Sequence, residues 1–181
     1  SLPPGVRAFW SHGSAASSGI ALFVKQSFLN QFNPVKPEDW HVLIEGRLGY
    51  LHLEGPLGSL RLFTCYFKTR TDVEDRQNRL LAHQLIADAV PPKVECRSSI
   101  AGDFDYVINP EDRWSVPSGL RSRVNDSVDA DTFQNLIAGP HGFHELFLLT
   151  NLSANCISAI PPNTNTPPIN WGTLNTSVNR I

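Results

Sequence analysis

Short apolar runs bounded by glycine, serine or proline dominate the first half of the chain. Gly19–Lys25 is one such run, and its length favours a buried strand over a helix. Trp40–Glu54 contains two more, the second alternating in its later half. Leu60–Phe67 follows the turn-forming sequence Gly55–Gly58. The pattern predicts a meander of antiparallel strands.

Helical spacing of apolar residues follows this meander. Thr71–Glu74 has the spacing of a capping box, and apolar positions then recur at helical intervals as far as Ala89. Pro91 and Pro92 end the predicted helix. Ser99–Phe104 is short and apolar and ends in charged residues, which predicts a further strand.

The last third of the chain gives a weaker pattern. A second helix is predicted from about Ser127 to Ile137, with Gly139-Pro140 as its stop. Asn151–Thr166 is rich in Asn, Ser, Thr and Pro and shows little regular periodicity. The strands do not alternate strictly with helices. The predicted fold class is therefore mixed α/β, of the α+β type, with a two-layer β-sandwich core flanked by helices.

Composition agrees with one globular domain over residues 1–181. The chain is 41% hydrophobic, and no internal repeat or linker demands a second domain. Its apolar runs are too short to span a bilayer, so no membrane partner is expected. Three widely spaced cysteines fit neither a disulfide framework nor a zinc cluster, which favours reduced thiols in the cytoplasm or nucleus.

The net charge of the chain does not indicate nucleic-acid binding. Lys and Arg total 15 against 17 Asp and Glu, and the net charge is −2. Any contact with DNA must therefore be local. A small basic patch could supply it, although interleaved acidic residues fit a solvated helix face equally well. Its members are Lys68, Arg70, Arg76 and Arg79.

The most informative cluster is Ile100–Asp105, in which a small apolar strand delivers two carboxylates. Alternate residues of a strand share a face, so Asp103 and Asp105 are expected to stand side by side. Such a pair can hold a hard divalent cation, or one member can act as a base toward water. Taken alone, Asp-x-Asp at a strand end is also typical of a turn or a solvated loop.

The residues around this pair resemble the endonuclease/exonuclease/phosphatase superfamily. Gly102-Asp-Phe-Asp105 is similar to the family's Gly-Asp-Phe-Asn motif. Gly46-Arg47 and the strand ending at Tyr66 resemble the strand pair that terminates in an active-site tyrosine. Asn109–Trp114 resembles the loop of the retrotransposon branch, and Ser177–Ile181 its Arg-Ile-Asp-Arg-Ile element.

The resemblance implies a catalytic set of Asp103, Asp105, Tyr66 and Asn179. It assigns Asp103 to water activation and the position of Asp105 to phosphate contact. It assigns the Tyr66 hydroxyl to the phosphate as well, although a tyrosine at a strand end is also an ordinary packing residue. Asn179 stands where the family carries an aspartate that orients the catalytic histidine. Mg²⁺ or Mn²⁺ is the implied cofactor, and DNA is the partner of the complete domain.

Two departures from the family pattern predict impaired activity. An asparagine can donate a hydrogen bond to phosphate, whereas an ionised Asp105 can only accept one and repels the anion. The family's opening strands, with a metal-binding glutamate, are expected before Ser1, and its closing Ser-Asp-His after Ile181. The metal ligands are then incomplete, and exposed sheet edges predict self-association. None of the six histidines is an evident substitute.

Three functions follow from these observations. The first is a metal-dependent DNA endonuclease of a retroelement, impaired in this chain. The second is a catalytically inactive retroelement remnant, which we prefer for the isolated chain. The third is a phosphatase or lipid phosphodiesterase of the same superfamily, against which the retroelement-like segment Glu111–Trp114 argues.

Overall fold

A computed structural model describes residues 2–13, 19–67, 73–107, 114–115, 120–121, 127–146 and 156–158. Its strands are β1 (Val6–His12), β2 (Gly19–Lys25), β3 (Trp40–Ile44), β4 (Leu48–Gly55), β5 (Gly58–Tyr66), β6 (Cys96–Asp103), β7 (Trp114–Ser115), β8 (Leu120–Arg121), β9 (His144–Leu146) and β10 (Cys156–Ser158). Its helices are α1 (Gln26–Leu29), α2 (Val73–Ala89), α3 (Ser127–Phe133) and α4 (Gly139–His141), with a 3₁₀ turn at Pro37–Asp39 and a π-helical turn at Gln134–Ala138.

The central feature is a six-stranded sheet in the order β3-β4-β5-β6-β10-β9. The predicted meander β3, β4 and β5 is antiparallel. β5 and β6 are parallel, in a register that runs from Ser59 opposite Cys96 to Tyr66 opposite Asp103. A parallel pair needs a long crossover, and α2 supplies it. The register therefore brings the carboxyl ends of two strands to one edge of the sheet.

Gly102 permits close packing at that edge. A Cβ built on Gly102 would overlap the backbone carbonyl of Cys65 on the neighbouring strand. A side chain here would push β6 away from β5. Gly102 thus allows β5 and β6 to keep their register up to the next residue, Asp103.

The two faces of the sheet are covered by different layers. Leu60 and Leu62 of β5 face a cluster formed with the β1–β2 hairpin and α1. Phe63 and Cys65, at the alternate positions, face a second cluster formed with α2 and α3. Antiparallel β1 and β2 form a separate two-stranded sheet over the first cluster. This confirms the predicted α/β class with packed β layers and flanking helices.

The second helical region is longer than predicted. The backbone stays helical through Gly139-Pro140 to His141, so the stop predicted at Gly139-Pro140 is wrong. The region ends at Gly142, which has φ +59°. There Gly142 N–H donates to Gly139 O at 3.2 Å and Phe143 N–H to Ala138 O at 2.9 Å. This pair of bonds is a Schellman motif, which satisfies the last carbonyl groups.

An aromatic cluster fills the space between the sheet and the helices. It is formed by Phe67, His83, Phe104, Tyr106 and Phe133, whose neighbouring rings lie 5.3–6.4 Å apart. His83 of α2 is fully buried, and this burial lowers its pKa to about 4. The imidazole is therefore neutral at neutral pH.

Within the described residues, no helix has the length and apolar character needed to cross a bilayer.

The packing of α2 predicts the effect of truncating its two faces. Ile86 is 0% exposed and packs in the cluster against the sheet, whereas Leu81 is 52% exposed. Ile86→Ala is expected to lower the free energy of unfolding by about 2–5 kcal/mol, because it removes buried contacts and leaves a cavity. Leu81→Ala, on the outer face of the same helix, should change it by less than about 0.5 kcal/mol. Urea unfolding of both variants checks this, and equal effects would contradict the assigned orientation of the helix.

The buried imidazole predicts a pH dependence of stability. His83 is protonated below about pH 6.5 in the unfolded chain but only below about 4 in the folded one. The unfolded state binds more protons between these values, so the free energy of unfolding falls as the pH falls through them, by up to about 3 kcal/mol. His83→Gln, which does not titrate, should lose this part of the slope in urea unfolding. An identical slope in wild type and variant would show that His83 is not buried in its neutral form.

Candidate functional site

The carboxyl ends of β5 and β6 place Tyr66 beside Asp103. The two residues are register partners in the parallel ladder. Directly paired residues of neighbouring strands share a face of the sheet, so both side chains leave on the face covered by the β1–β2 hairpin. Tyr66 is half-buried and Asp103 is exposed. A hydroxyl and a carboxylate thus stand together at a solvent-accessible sheet end.

Asp105 lies close to Asp103, but strand alternation is not the reason. β6 ends at Asp103, and Asp105 adopts a left-handed backbone with φ +58°. Its N–H donates to Oδ1 of Asp103 at 3.2 Å. The expectation that Asp103 and Asp105 are neighbours along one strand face is therefore wrong. A tight turn, with the backbone of one residue bonded to the carboxylate of the other, holds them close.

The backbone on both sides of Asp103 is also fixed. Phe67 N–H donates to the Asp103 carbonyl at 2.8 Å, which extends the β5–β6 ladder past the end of β5. Few residue types tolerate the left-handed region, and aspartate, asparagine and glycine are the main ones. Asp105 can therefore occupy the turn, and an asparagine would occupy it equally well.

Arg47 is the functional candidate that sequence reasoning missed. Its guanidinium carbon lies 4.6 Å from the centroid of the Tyr66 ring, a cation–π geometry. Its carbonyl accepts the Tyr66 N–H at 2.8 Å. Its Nη1 is buried and has no hydrogen-bond partner among the described residues. A cation with an unused donor therefore lies against the tyrosine.

The turn before Arg47 packs closely against the end of β1. Gly46 N–H donates to Oγ of Ser11 at 3.0 Å. Gly46 has φ +63°, and a Cβ there would lie 2.5 Å from the Gly13 nitrogen. Only glycine fits this approach without displacement. The Gly46-Arg47 pair, noticed in the sequence as a family fragment without a role, was the signal that could have identified Arg47.

The other predicted site residues separate into two groups. Asn179 and the segment 109–113 lie outside the described residues, as do Lys68 and Arg70 of the predicted basic patch. Arg76 is exposed on α2 as expected. Arg79 is not part of an exposed patch, because it is buried and its Nε donates to Oδ1 of Asp129 at 3.0 Å. The prediction of a basic patch is therefore wrong for Arg79, which instead joins α2 to α3 through its bond to Asp129.

The donors at the site fit a hard divalent cation in part. Mg²⁺ commonly keeps several waters and binds through one or two carboxylates together with substrate phosphate. Asp103 and Asp105 supply two carboxylates of this kind. Within the described residues, no group of three or more His, Cys, Asp or Glu side chains is placed to hold a metal ion. A cation here would thus depend on water and substrate oxygens for its remaining ligands.

Comparisons with known proteins bear on the fold. No protein-family model matches the chain, and no curated protein matches it significantly. Among solved structures, an AP endonuclease from Archaeoglobus fulgidus matches with a TM-score of 0.53 and 14% identity over 86% of this chain and 67% of that one. The endonuclease domain of TRAS1, a telomere-specific non-LTR retrotransposon, matches with a TM-score of 0.51 and 12% identity over 86% of this chain and 65% of that one.

This chain thus spans about two thirds of the length of each of these proteins. At such low sequence identity the similarity concerns the fold. It agrees with the resemblance carried by Gly102–Asp105 and Tyr66. The chain has the fold of the endonuclease/exonuclease/phosphatase superfamily.

Proposed function

We propose that this chain carries a phosphodiester-hydrolysing site of the retroelement endonuclease type, acting on DNA, with activity reduced by its own Asp105. The observation that supports the proposal is that Tyr66 and Asp103 are register partners at the ends of β5 and β6. The Asp105 N–H is hydrogen-bonded to the Asp103 carboxylate. The archaeal AP endonuclease and the TRAS1 endonuclease domain support nucleic acid as the substrate class. The retroelement-like segment Glu111–Trp114 supports the retrotransposon branch.

In this proposal Asp103 accepts the proton of the attacking water. A carboxylate offers about four acceptor positions, and the Asp105 N–H uses one of them. Since Asp103 is exposed, water reaches it directly. The bond from Asp105 fixes the carboxylate orientation, which a general base needs in order to meet its proton donor.

Tyr66 and Arg47 bind the phosphate. The Tyr66 hydroxyl can donate one hydrogen bond to a phosphate oxygen. Arg47 stacks on the Tyr66 ring and supplies a positive charge on the same side of the site. The Tyr66 hydroxyl and the positive charge of Arg47 thus face the phosphate, which gains negative charge during hydrolysis.

Asp103 is the described carboxylate that would hold Mg²⁺ or Mn²⁺, and the side-chain oxygen at position 105, which an asparagine also offers, can add a ligand. A bound divalent cation polarises the phosphoryl oxygen and lowers the pKa of a coordinated water. Asn179 is proposed, from the resemblance alone, to orient a histidine of the complete parent domain. Residues 1–181 form one partial domain in this proposal, which acts inside the cell, in the nucleus or cytoplasm.

Asp105 is the residue that reduces activity. A carboxylate at this position repels the phosphate, whereas the amide of asparagine donates a hydrogen bond to it. The left-handed turn accepts either side chain. The reduced activity is therefore a local electrostatic effect that a single substitution can reverse.

The proposal predicts a gain of activity in Asp105→Asn. A hydrogen bond to a charged group is worth about 1.5–3 kcal/mol, so nicking of supercoiled plasmid with Mg²⁺ or Mn²⁺ should rise about 10- to 100-fold. Asp103→Asn in the same background should abolish the gain. Asp88→Asn, which removes a negative charge from the exposed face of α2, is the matched control and should leave nicking unchanged.

The outcomes separate the three functions. No nicking in Asp105→Asn, with the fold intact by circular dichroism, would identify an inactive remnant. Nicking that persists in Asp103→Asn would indicate a contaminating nuclease. Release of phosphate from inositol phosphates without plasmid nicking would point to a phosphatase of the same superfamily.

We also propose that copies of the chain associate, although through the outer face of the β1–β2 hairpin rather than through the sheet edges expected from the sequence. Trp10 and Phe23 are 56% and 52% exposed there. Burying such side chains is favourable by about 25 cal/mol per Å² of apolar surface. Light scattering should show association that weakens in Trp10→Ser/Phe23→Ser. A stable wild-type monomer at high concentration would contradict it.

A further inference from the structure

The turn that carries Asp103 and Asp105 is anchored by the aromatic residues that alternate with them. Phe104 and Tyr106 are each 7% exposed, while Asp103 is exposed and Asp105 is half-buried. The Phe104 ring lies 5.6 Å from that of Phe67, and the Tyr106 ring lies 6.4 Å from it. The acidic residues thus project from a segment whose apolar members are embedded in the aromatic cluster.

A single buried hydrogen bond orients the second of these anchors. Nε2 of His83, on α2, lies 3.0 Å from the Tyr106 hydroxyl. Burial raises the pKa of the Tyr106 hydroxyl well above its usual value and lowers that of His83, so both groups are neutral. The bond ties α2 to the residue that directly follows Asp105.

The stability of the cluster does not account for a histidine at this position. Nδ1 of His83 is buried and has no hydrogen-bond partner among the described residues. A buried unpartnered nitrogen costs free energy, whereas two apolar rings of similar shape would cost nothing of this kind. Phenylalanine already occupies three of the five positions in the cluster. The polar pair therefore calls for a function other than packing.

The neighbouring turn supplies that function. Aspartate tolerates the left-handed region, but a tight turn keeps a single orientation only where the surrounding structure holds it. Asp105, at φ +58°, is held on one side by Phe104 and on the other by Tyr106. Ring packing sets the depth and orientation of the Tyr106 ring, and the directional bond to His83 adds a constraint on the position of its hydroxyl.

We propose that the His83–Tyr106 hydrogen bond positions the Asp103–Asp105 turn for phosphate chemistry, so that His83 and Tyr106 are positioning residues of the site. This inference rests on the proposed function for its catalytic consequence. It also makes a claim about the turn that does not depend on activity. If the bond is removed without disturbing the packing, the turn loosens while the fold stays intact.

The decisive variant is His83→Phe/Tyr106→Phe in the full chain. It removes both polar groups and keeps both rings, so it should unfold at the same or a higher urea concentration than wild type. Hydrogen exchange of the peptide containing the Asp105 and Tyr106 amides should nevertheless be roughly tenfold faster. His83→Gln, whose amide can still accept the Tyr106 hydroxyl, should keep slow exchange. Tyr50→Phe, a tyrosine on β4 outside the aromatic cluster, is the matched control and should exchange as wild type.

The catalytic consequence is read in the Asp105→Asn background described above. There the double substitution should lower kcat for plasmid nicking at least about tenfold, with KM nearly unchanged. Unchanged exchange in the double variant would overturn the proposal, and so would faster exchange with unchanged kcat. If no variant nicks DNA, the proposed function fails, and the exchange result alone decides whether the bond positions the turn.

Discussion

The parallel pairing of β5 with β6 is the constraint on which the site depends. A shift of one residue would move Tyr66 away from Asp103 and turn every side chain of β6 to the opposite face. The register is held by the α2 crossover and by the close approach of Gly102 to the Cys65 carbonyl. The same alternation that buries Phe63 and Ile100 under the helices sends Tyr66 and Asp103 to the other face. Core packing and site geometry are therefore set by one choice of register.

The elements that the sequence predicted share strong local signals. Gly19–Lys25 is a short apolar run bounded by small residues, and α2 combines helical spacing with a proline stop, so local physics determines both. β1 gave no such signal, because its apolar residues are interrupted and its stability comes from pairing with β2. The helix end at Gly142 was missed because Gly139-Pro140 is tolerated next to a π-helical turn, and only the tertiary backbone shows this.

The sequence predicted candidate residues for the site but not their geometry. Tyr66, Asp103 and Asp105 were identified by motif, but strand alternation gave the wrong reason for the proximity of the two carboxylates. The left-handed residue Asp105 lies between Phe104 and Tyr106, which pack in the aromatic cluster, a tertiary contact that spacing does not encode. Arg47 was missed for the same reason, since its stacking on Tyr66 of β5 is a tertiary contact. Arg79 was misjudged because its partner Asp129 is 50 residues away in the chain.

The central claim is that the carboxyl ends of β5 and β6 form a site for a divalent cation and phosphate. Its most direct test is a titration of the full chain with Mn²⁺, followed by paramagnetic broadening of the backbone amide signals. The account predicts broadening that begins at the amides of Tyr66, Asp103 and Asp105 and disappears in Asp103→Asn/Asp105→Asn. Broadening centred elsewhere, or unchanged in that double variant, would contradict it.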